Sequence, residues 1–183
     1  MTNNEETITK KTVFDGKIIR LEVHDVQLPE GKNGVREVVK HPGAVAVIAV
    51  TDDERVPLVR QYRKAPEESL LEIPAGKCEP GEQPIQTAER ELLEETGWQA
   101  GSLTEIGGFY TSPGFADEFI TVFLAENLQQ KEQALDEDEY VTVEMWSLNQ
   151  ALGEAMEGKF RDAKTAYSLL YLAANKHSII SSS

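Results

Sequence analysis

Residues 76–98 constrain this chain more than any other stretch. They read Gly-Lys-Cys-Glu-Pro-Gly-Glu-Gln-Pro-Ile-Gln-Thr-Ala-Glu-Arg-Glu-Leu-Leu-Glu-Glu-Thr-Gly-Trp. Gly76, Pro80 and Gly81 bend the first part. Pro84 then stands where a helix can begin, because its missing N–H would be unpaired in a first turn anyway. Gly97 supplies the stop, since glycine takes the left-handed conformation at a helix C-terminus without a Cβ clash. Between them Ile85, Ala88, Leu92 and Thr96 recur at helical spacing and predict one apolar face.

Beside that face packing gives no reason for the pattern. Glu91, Glu94 and Glu95 fall at i, i+3 and i+4, so their side chains converge. Like charges at this spacing cost a few tenths of a kcal/mol per pair, of which an Arg90–Glu94 pair at i+4 relieves part. Two readings are open for three such glutamates: a solvated acidic face, or hard oxygen ligands for Mg²⁺.

The preceding loop decides between them. Gly76, Glu82, Arg90, Glu91, Leu92, Glu94, Glu95, Gly97 and Trp98 follow the order Gly-x5-Glu-x7-Arg-Glu-apolar-x-Glu-Glu-x-Gly-apolar. This resembles the Nudix box, with no position departing from it. The resemblance implies an α+β chain with a Nudix α/β/α sandwich and mixed sheet. It also implies hydrolysis of a nucleoside diphosphate linked to another group.

Composition sets the outer bounds. The 183 residues suffice for one substantial core, and the net charge of −14 argues against general nucleic-acid binding, which needs basic surface. The same charge suits anionic nucleotides only once divalent cations join the site. The one cysteine, Cys78, excludes an internal disulfide, fits a reducing compartment and reads as a surface thiol. No apolar run approaches a membrane span, and the first residues lack signal-peptide features. The expectation is a cytoplasmic protein with no membrane partner.

Taken in order, Ile8–Phe14 and Lys17–Leu28 read as strands around an Asp15-Gly16 turn, with Ile19, Leu21 and Val23 on one face. Asn33-Gly34 reads as a second turn before a strand over Val35–Lys40. Residues 1–40 therefore form a small antiparallel β unit, and 41–180 a main domain. Strands follow over Ala44–Val50, Val56–Tyr62 and Leu70–Pro74. Arg60, Arg63 and Lys64 are either a guard on an edge strand or a phosphate contact. After the box come strands over Leu103–Thr111, Phe119–Ala125 and Val141–Trp146, then helices over Leu148–Glu157 and Asp162–Lys176. On the last helix Ala163, Ala166, Leu169, Leu170 and Ala173 share a side. The acidic stretch Leu135–Tyr140 reads either as a solvated loop or as a lid carrying carboxylates.

Pro113 lies sixteen residues beyond Gly97, within Tyr-Thr-Ser-Pro-Gly-Phe-Ala-Asp-Glu. This resembles the bacterial ADP-ribose pyrophosphatase subgroup of the Nudix family. The resemblance implies Mg²⁺ as cofactor, with Mn²⁺ an alternative and more than one ion per site. It implies Ala75 (through its carbonyl), Glu91, Glu95 and Glu139 as metal ligands. Glu137 is implied as the base, a role it could exchange with Glu139, with Arg90 and Glu94 as further catalytic residues and Glu82 supporting the loop. Substrate contacts would come from Arg36 and Glu37, possibly of a partner subunit, Arg63 near the diphosphate, and Glu118. The implied activity is cleavage of ADP-ribose to AMP and ribose 5-phosphate by a homodimer joined through its N-terminal strands. The alternatives are another ADP-sugar, a dinucleotide or a damaged nucleotide as substrate, and more remotely a non-catalytic ADP-ribose sensor. His24, His41 and His177 have no catalytic setting and read as structural or surface residues.

Overall fold

The computed structural model describes residues 4–180 except 136–139, with backbone alone for 176–180. Two compact units are distinguished. The first takes in the chain up to Gly43 together with Phe109–Ile120; the second holds Ala44–Gly108 and the chain from Thr121 onward.

In the first unit β1 (Glu6–Asp15), β2 (Arg20–Gln27) and β3 (Asn33–Lys40) form an antiparallel sheet in that order. The β1–β2 turn closes where Asp15-Gly16 predicts it, with Gly16 N–H donating to the Ile19 carbonyl at 3.0 Å. The second turn falls earlier than expected. Pro29–Gly31 makes it, with positive φ at Glu30 and Gly31, while Asn33 and Gly34 already pair with Gln27 and Val26. Proline fixes the first turn residue and glycine accepts the left-handed one, so this pair outcompetes Asn-Gly. The expected inner face is also corrected. Glu22 is buried, paired with Arg20 and His24, whereas Ile19 is exposed. Ile8, Val13, Phe14 and Val35 are exposed as well.

The Pro113 segment lies along β3. Val39 N–H donates to Phe115 O at 2.7 Å, and Asp117 N–H to Val39 O at 3.0 Å, a parallel bridge. Lys40 pairs with Asp117, whose Oδ1 also accepts from His41 N–H at 2.8 Å.

The second unit is built on β4 (Ala44–Ala49), whose residues Val45–Ala49 are fully buried. A strand covered on both faces carries a continuous apolar run rather than an alternating one. β4 sits inside a four-stranded sheet of order β7 (Ala75–Lys77), β4, β10 (Phe119–Glu126), β9 (Ser102–Tyr110). A three-stranded antiparallel sheet has β5 (Arg55–Arg63) between β12 (Val141–Ser147) and β6 (Glu68–Glu72). β8 (Trp98–Gln99) pairs with β11 (Gln129–Gln130). Three helices complete the unit: α1 (Pro84–Thr96), α2 (Leu148–Met156) and α3 (Ala163–Ile180). The α+β class read from the sequence is thus the one observed.

α1 begins and ends where Pro84 and Gly97 place it. Gln83 and Gln86 form a reciprocal capping pair, and Gly97 has φ 71°. Ala88 and Leu92 pack with Val45, Val47, Ala49, Phe123 and Ala125. Ile85, expected on that face, is exposed; the buried stripe is Thr87, Ala88, Glu91, Leu92, Glu95 and Thr96. α3 departs further from its expected face. Leu170 is exposed, while Lys164, Thr165, Ser168, Leu169 and Leu172 are buried. Polar residues can occupy a buried face when partners wait there, and Asp162 caps this helix by accepting from Thr165 N–H at 3.0 Å. Cys78 corrects another expectation: it is half-buried and packs against the α1 core rather than standing as a surface thiol.

Candidate active site

Short strand β7 and helix α1 bring the box residues together. β7 pairs with β4 through Ala46–Ala75 and Val45–Gly76, which fixes its backbone against the core. Glu95 accepts from Ala75 N–H at 3.2 Å. A Cβ on Gly76 would stand 1.8 Å from Glu91 Oε1, so glycine is what lets that carboxylate lie against the strand. Glu91 and Glu95 are 7% and 3% exposed, an unusual degree of burial for glutamates.

Arg90 organises the acidic side. Its Nε and Nη2 donate to the two oxygens of Glu82, both at 3.1 Å. Its Nη1 donates to Glu91 at 2.8 Å and to Glu94 at 3.0 Å. One guanidinium therefore holds three carboxylates, offsetting the repulsion that their spacing on the helix creates. Glu82 also accepts from the Thr87 hydroxyl at 2.8 Å and from Glu79 N–H at 3.2 Å, which ties the loop to the first turns of α1.

These contacts carry a pH signature. Hydrogen bonding from Arg90 is the largest cause that lowers the Glu82 carboxyl from 4.5 to about 2. A carboxyl lowered on folding contributes stability that is complete above its unfolded value and is lost as pH falls through the folded one. The expected outcome is that Arg90→Gln melts below wild type at neutral pH. That gap should narrow between about pH 4.5 and about pH 2 as Glu82 protonates. Melting curves across that range check it, and a gap constant with pH would rule the linkage out.

The donor set suits a divalent cation. Carboxylates and a backbone carbonyl are the hard oxygen ligands that Mg²⁺ and similar ions take, and the Gly76 cradle leaves Glu91 beside the β7 backbone. Among the described residues, no group of three or more His, Cys, Asp or Glu side chains is so placed that it could hold a metal ion. The hydrogen bonds above are consistent with this: Arg90 holds Glu91 and Glu94, and Ala75 N–H holds Glu95.

The remaining sequence candidates are distributed as follows. Arg63, in the same unit as the box, forms a two-pronged pair with Glu72 at 2.8 and 2.7 Å, and the charge of Glu95 reaches it. Arg60 pairs with Glu144 at 2.5 Å and Lys64 with Glu67, so each cation of that cluster has a carboxylate partner. Arg36, Glu37 and Glu118 belong to the other unit. There Arg36 pairs with Glu5, Glu37 is exposed opposite Val23, and Glu118 accepts from the Thr111 hydroxyl at 2.7 Å with His41 at 3.6 Å. Glu137 and Glu139 lie outside the described residues, as does the side chain of His177.

A buried polar group escaped the sequence reading. Glu72 is 1% exposed and receives both Arg63 and Lys164. Burial alone would push its carboxyl up; Arg63 and Lys164 outweigh that and hold it below the ordinary carboxylate range. Nothing local marks either residue, since one ends a short strand and the other begins a helix.

Comparison with known proteins bears on this geometry. The NUDIX domain profile matches residues 40–169. The chain belongs to the Nudix family. Residues 5–39 match a second profile, the nucleoside diphosphate sugar hydrolase N-terminal domain. An ADP-ribose pyrophosphatase of Bacillus subtilis is 55% identical over 92% of this chain and 92% of its own. A methanol dehydrogenase activator of Bacillus methanolicus is 48% identical, again over 92% of each. The crystal structure of an ADP compounds hydrolase superposes with a TM-score of 0.83 at 24% identity, covering 96% of both chains. That likeness shows a shared fold over nearly the whole of both chains. Among the described residues no helix is long and apolar enough to cross a membrane.

Proposed function

We propose that this Nudix protein hydrolyses the pyrophosphate of ADP-ribose, giving AMP and ribose 5-phosphate, with Mg²⁺ or Mn²⁺ and more than one ion per site. The observation that carries this reading is the buried carboxylate pair Glu91 and Glu95 set against Ala75 and Gly76. The 55% identical ADP-ribose pyrophosphatase supports the choice of substrate. Glu91, Glu95, Glu139 and the Ala75 carbonyl would hold the cation, which supplies charge neutralisation on the diphosphate and acidification of a water. Arg90 keeps the carboxylates aimed, with Glu94 in the same grip, and Glu82 fixes the loop from which they are reached. Arg63 takes the diphosphate, and Glu137 accepts the proton of the attacking water as its oxygen bonds to phosphorus and the P–O–P bridge opens. Arg36, Glu37 and Glu118 contact the nucleotide or sugar, Arg36 and Glu37 from a partner subunit. Residues 1–40 then serve as the dimerisation unit beside a Nudix domain over 41–180, with their exposed Ile8, Val13, Phe14 and Val35 covered in a homodimer working in the cytoplasm.

A panel of ADP-ribose, ADP-glucose, NADH, diadenosine polyphosphate and 8-oxo-dGTP tests the reading, each with Mg²⁺ and with chelator. ADP-ribose should lead in kcat/KM, and chelator should abolish its turnover. Arg63→Ala should raise KM for ADP-ribose about ten- to a hundred-fold with kcat little changed, as expected for a contact made equally in ground and transition states. Leadership by another substrate would keep the carboxylate chemistry and remove ADP-ribose. A second reading comes from the 48% identical activator. It predicts that the chain raises the rate of an alcohol dehydrogenase, and no effect in that assay would retire it.

A further inference from the structure

The reaction as described makes no use of Glu72 or Lys164, yet both are buried, at 1% and 8% exposure. Glu72 Oε1 accepts from Arg63 Nε at 2.8 Å and Oε2 from Arg63 Nη2 at 2.7 Å, while Lys164 Nζ donates to the same Oε2. Lys164 Nζ also donates to Asp162 Oδ1 at 3.0 Å. Asp162 Oδ2 accepts from Thr165 N–H at 3.0 Å and from its hydroxyl at 2.5 Å, and Thr165 Oγ1 accepts from Ile73 N–H at 2.8 Å. The network joins the start of α3 to the end of β6. Two residues further on, Ala75 N–H meets Glu95.

A buried ionic network is a poor choice if the task is merely to hold α3 against β6. Desolvating the charges costs about as much as their attraction returns, and apolar side chains of similar volume often do as well or better. Such a pair could not orient a guanidinium. A two-pronged carboxylate pair can, because its parallel N–H···O bonds make the two planes follow each other. Lys164 Nζ bonds the same Oε2 that accepts from Arg63 Nη2, so cations from β5 and α3 together hold one carboxylate. The pair with Glu72 uses Nε and Nη2 of Arg63 and leaves its Nη1 outside it. The Arg63 side chain is 40% exposed, and the charge of Glu95 is a minor influence on it after that of Glu72.

We propose that Lys164 is a positioning residue for substrate: by holding Glu72 from α3 it sets the carboxylate that aims Arg63 at the diphosphate. This rests on the assignment of Arg63 to the diphosphate made above.

The test is a double-mutant cycle of Lys164→Met and Arg63→Ala, with Lys164→Arg as the conservative replacement and Lys164→Gln as a second neutral one. KM and kcat for ADP-ribose are measured together with melting temperature. Binding of ADP-ribose by calorimetry in chelator gives a readout independent of turnover. Lys164→Met should raise KM and weaken binding about ten-fold, the usual size of a supporting-partner effect, with kcat within about two-fold. Lys164→Arg should recover most of the loss. With Arg63 already Ala, Lys164→Met should change KM by less than about two-fold, because residues acting as a unit are not additive. Multiplying effects, or a lowered melting temperature with wild-type KM and binding, would overturn the proposal. If Lys164→Met does not fold, Lys164→Gln is read by the same criteria. Should Arg63→Ala leave KM unchanged, the diphosphate assignment falls and the proposal with it. Should Arg63→Ala raise KM and Lys164→Met not, the role of Lys164 alone fails.

Discussion

Glu95→Gln is expected to lower kcat for ADP-ribose by about a hundred- to ten-thousand-fold while KM moves little. The range follows from a metal-ligand interaction worth several kcal/mol in the transition state, each 1.4 kcal/mol being tenfold in rate. Glutamine keeps the size of the side chain and one acceptor oxygen, so the hydrogen bond from Ala75 N–H can persist. Only the charge is removed, from a group 3% exposed. The fold should therefore survive, and neutralising one of several crowded carboxylates can even raise the melting temperature. Single-turnover kinetics separates chemistry from product release, and Mn²⁺ binding followed by electron paramagnetic resonance reads the ion directly. Weakened Mn²⁺ binding with a reduced chemical step is the result expected. A variant that binds Mn²⁺ and turns over as wild type does would remove Glu95 from the ligand set.

Gly76→Ala should be nearly as damaging, for a steric reason. The added Cβ would stand 1.8, 2.0 and 2.5 Å from Oε1, Cδ and Oε2 of Glu91. Glu91 must then swing away from β7 and break its 2.8 Å contact with Arg90. Stability should fall by about 1–3 kcal/mol, typical of overpacking, and kcat by about a hundred-fold as one carboxylate leaves its place. Gly81→Ala is the control. Gly81 has φ +88° and nothing within 4 Å of a built Cβ, so its replacement strains the loop without touching the carboxylates. It should lose about 1 kcal/mol of stability and keep its turnover. Equal kinetic damage from both substitutions would show loop strain, rather than displacement of Glu91, to be the cause.

The two halves of the candidate site differ in how much of them can be read from the chain. Every member of the Arg90 cluster lies within thirteen residues of the others in sequence, from Glu82 to Glu94. Helical geometry converts such short spacings into contacts, so Glu91, Glu94 and Arg90 meet as their positions require. The Glu72 group joins residues 92 apart in sequence at Lys164–Glu72 and Ile73–Thr165. No local period relates such positions. A glutamate closing a short strand and a lysine opening a helix are ordinary surface patterns until the fold brings them together.

The same division explains the errors in the element faces. Hydropathy places Ile85 on the inner side of α1 and Leu170 on that of α3, yet both are exposed. Buried instead are Glu91, Glu95, Lys164, Thr165 and Ser168, several of which find hydrogen-bond partners inside. A transfer scale charges a polar side chain the full cost of leaving water, and that cost disappears when a partner is waiting.

Sequence alone determined the box: its turn, its helix from Pro84 to the Gly97 cap, the convergence of its carboxylates and the family they mark. Backbone sterics and helical spacing act over a few residues, and those residues are all adjacent in the chain. Tertiary structure decided which face of each helix is inside, that Cys78 packs against the core, and that Arg63 is held by Glu72 and Lys164. Those outcomes depend on desolvation and pairing between distant segments, which take a value only once the segments have met.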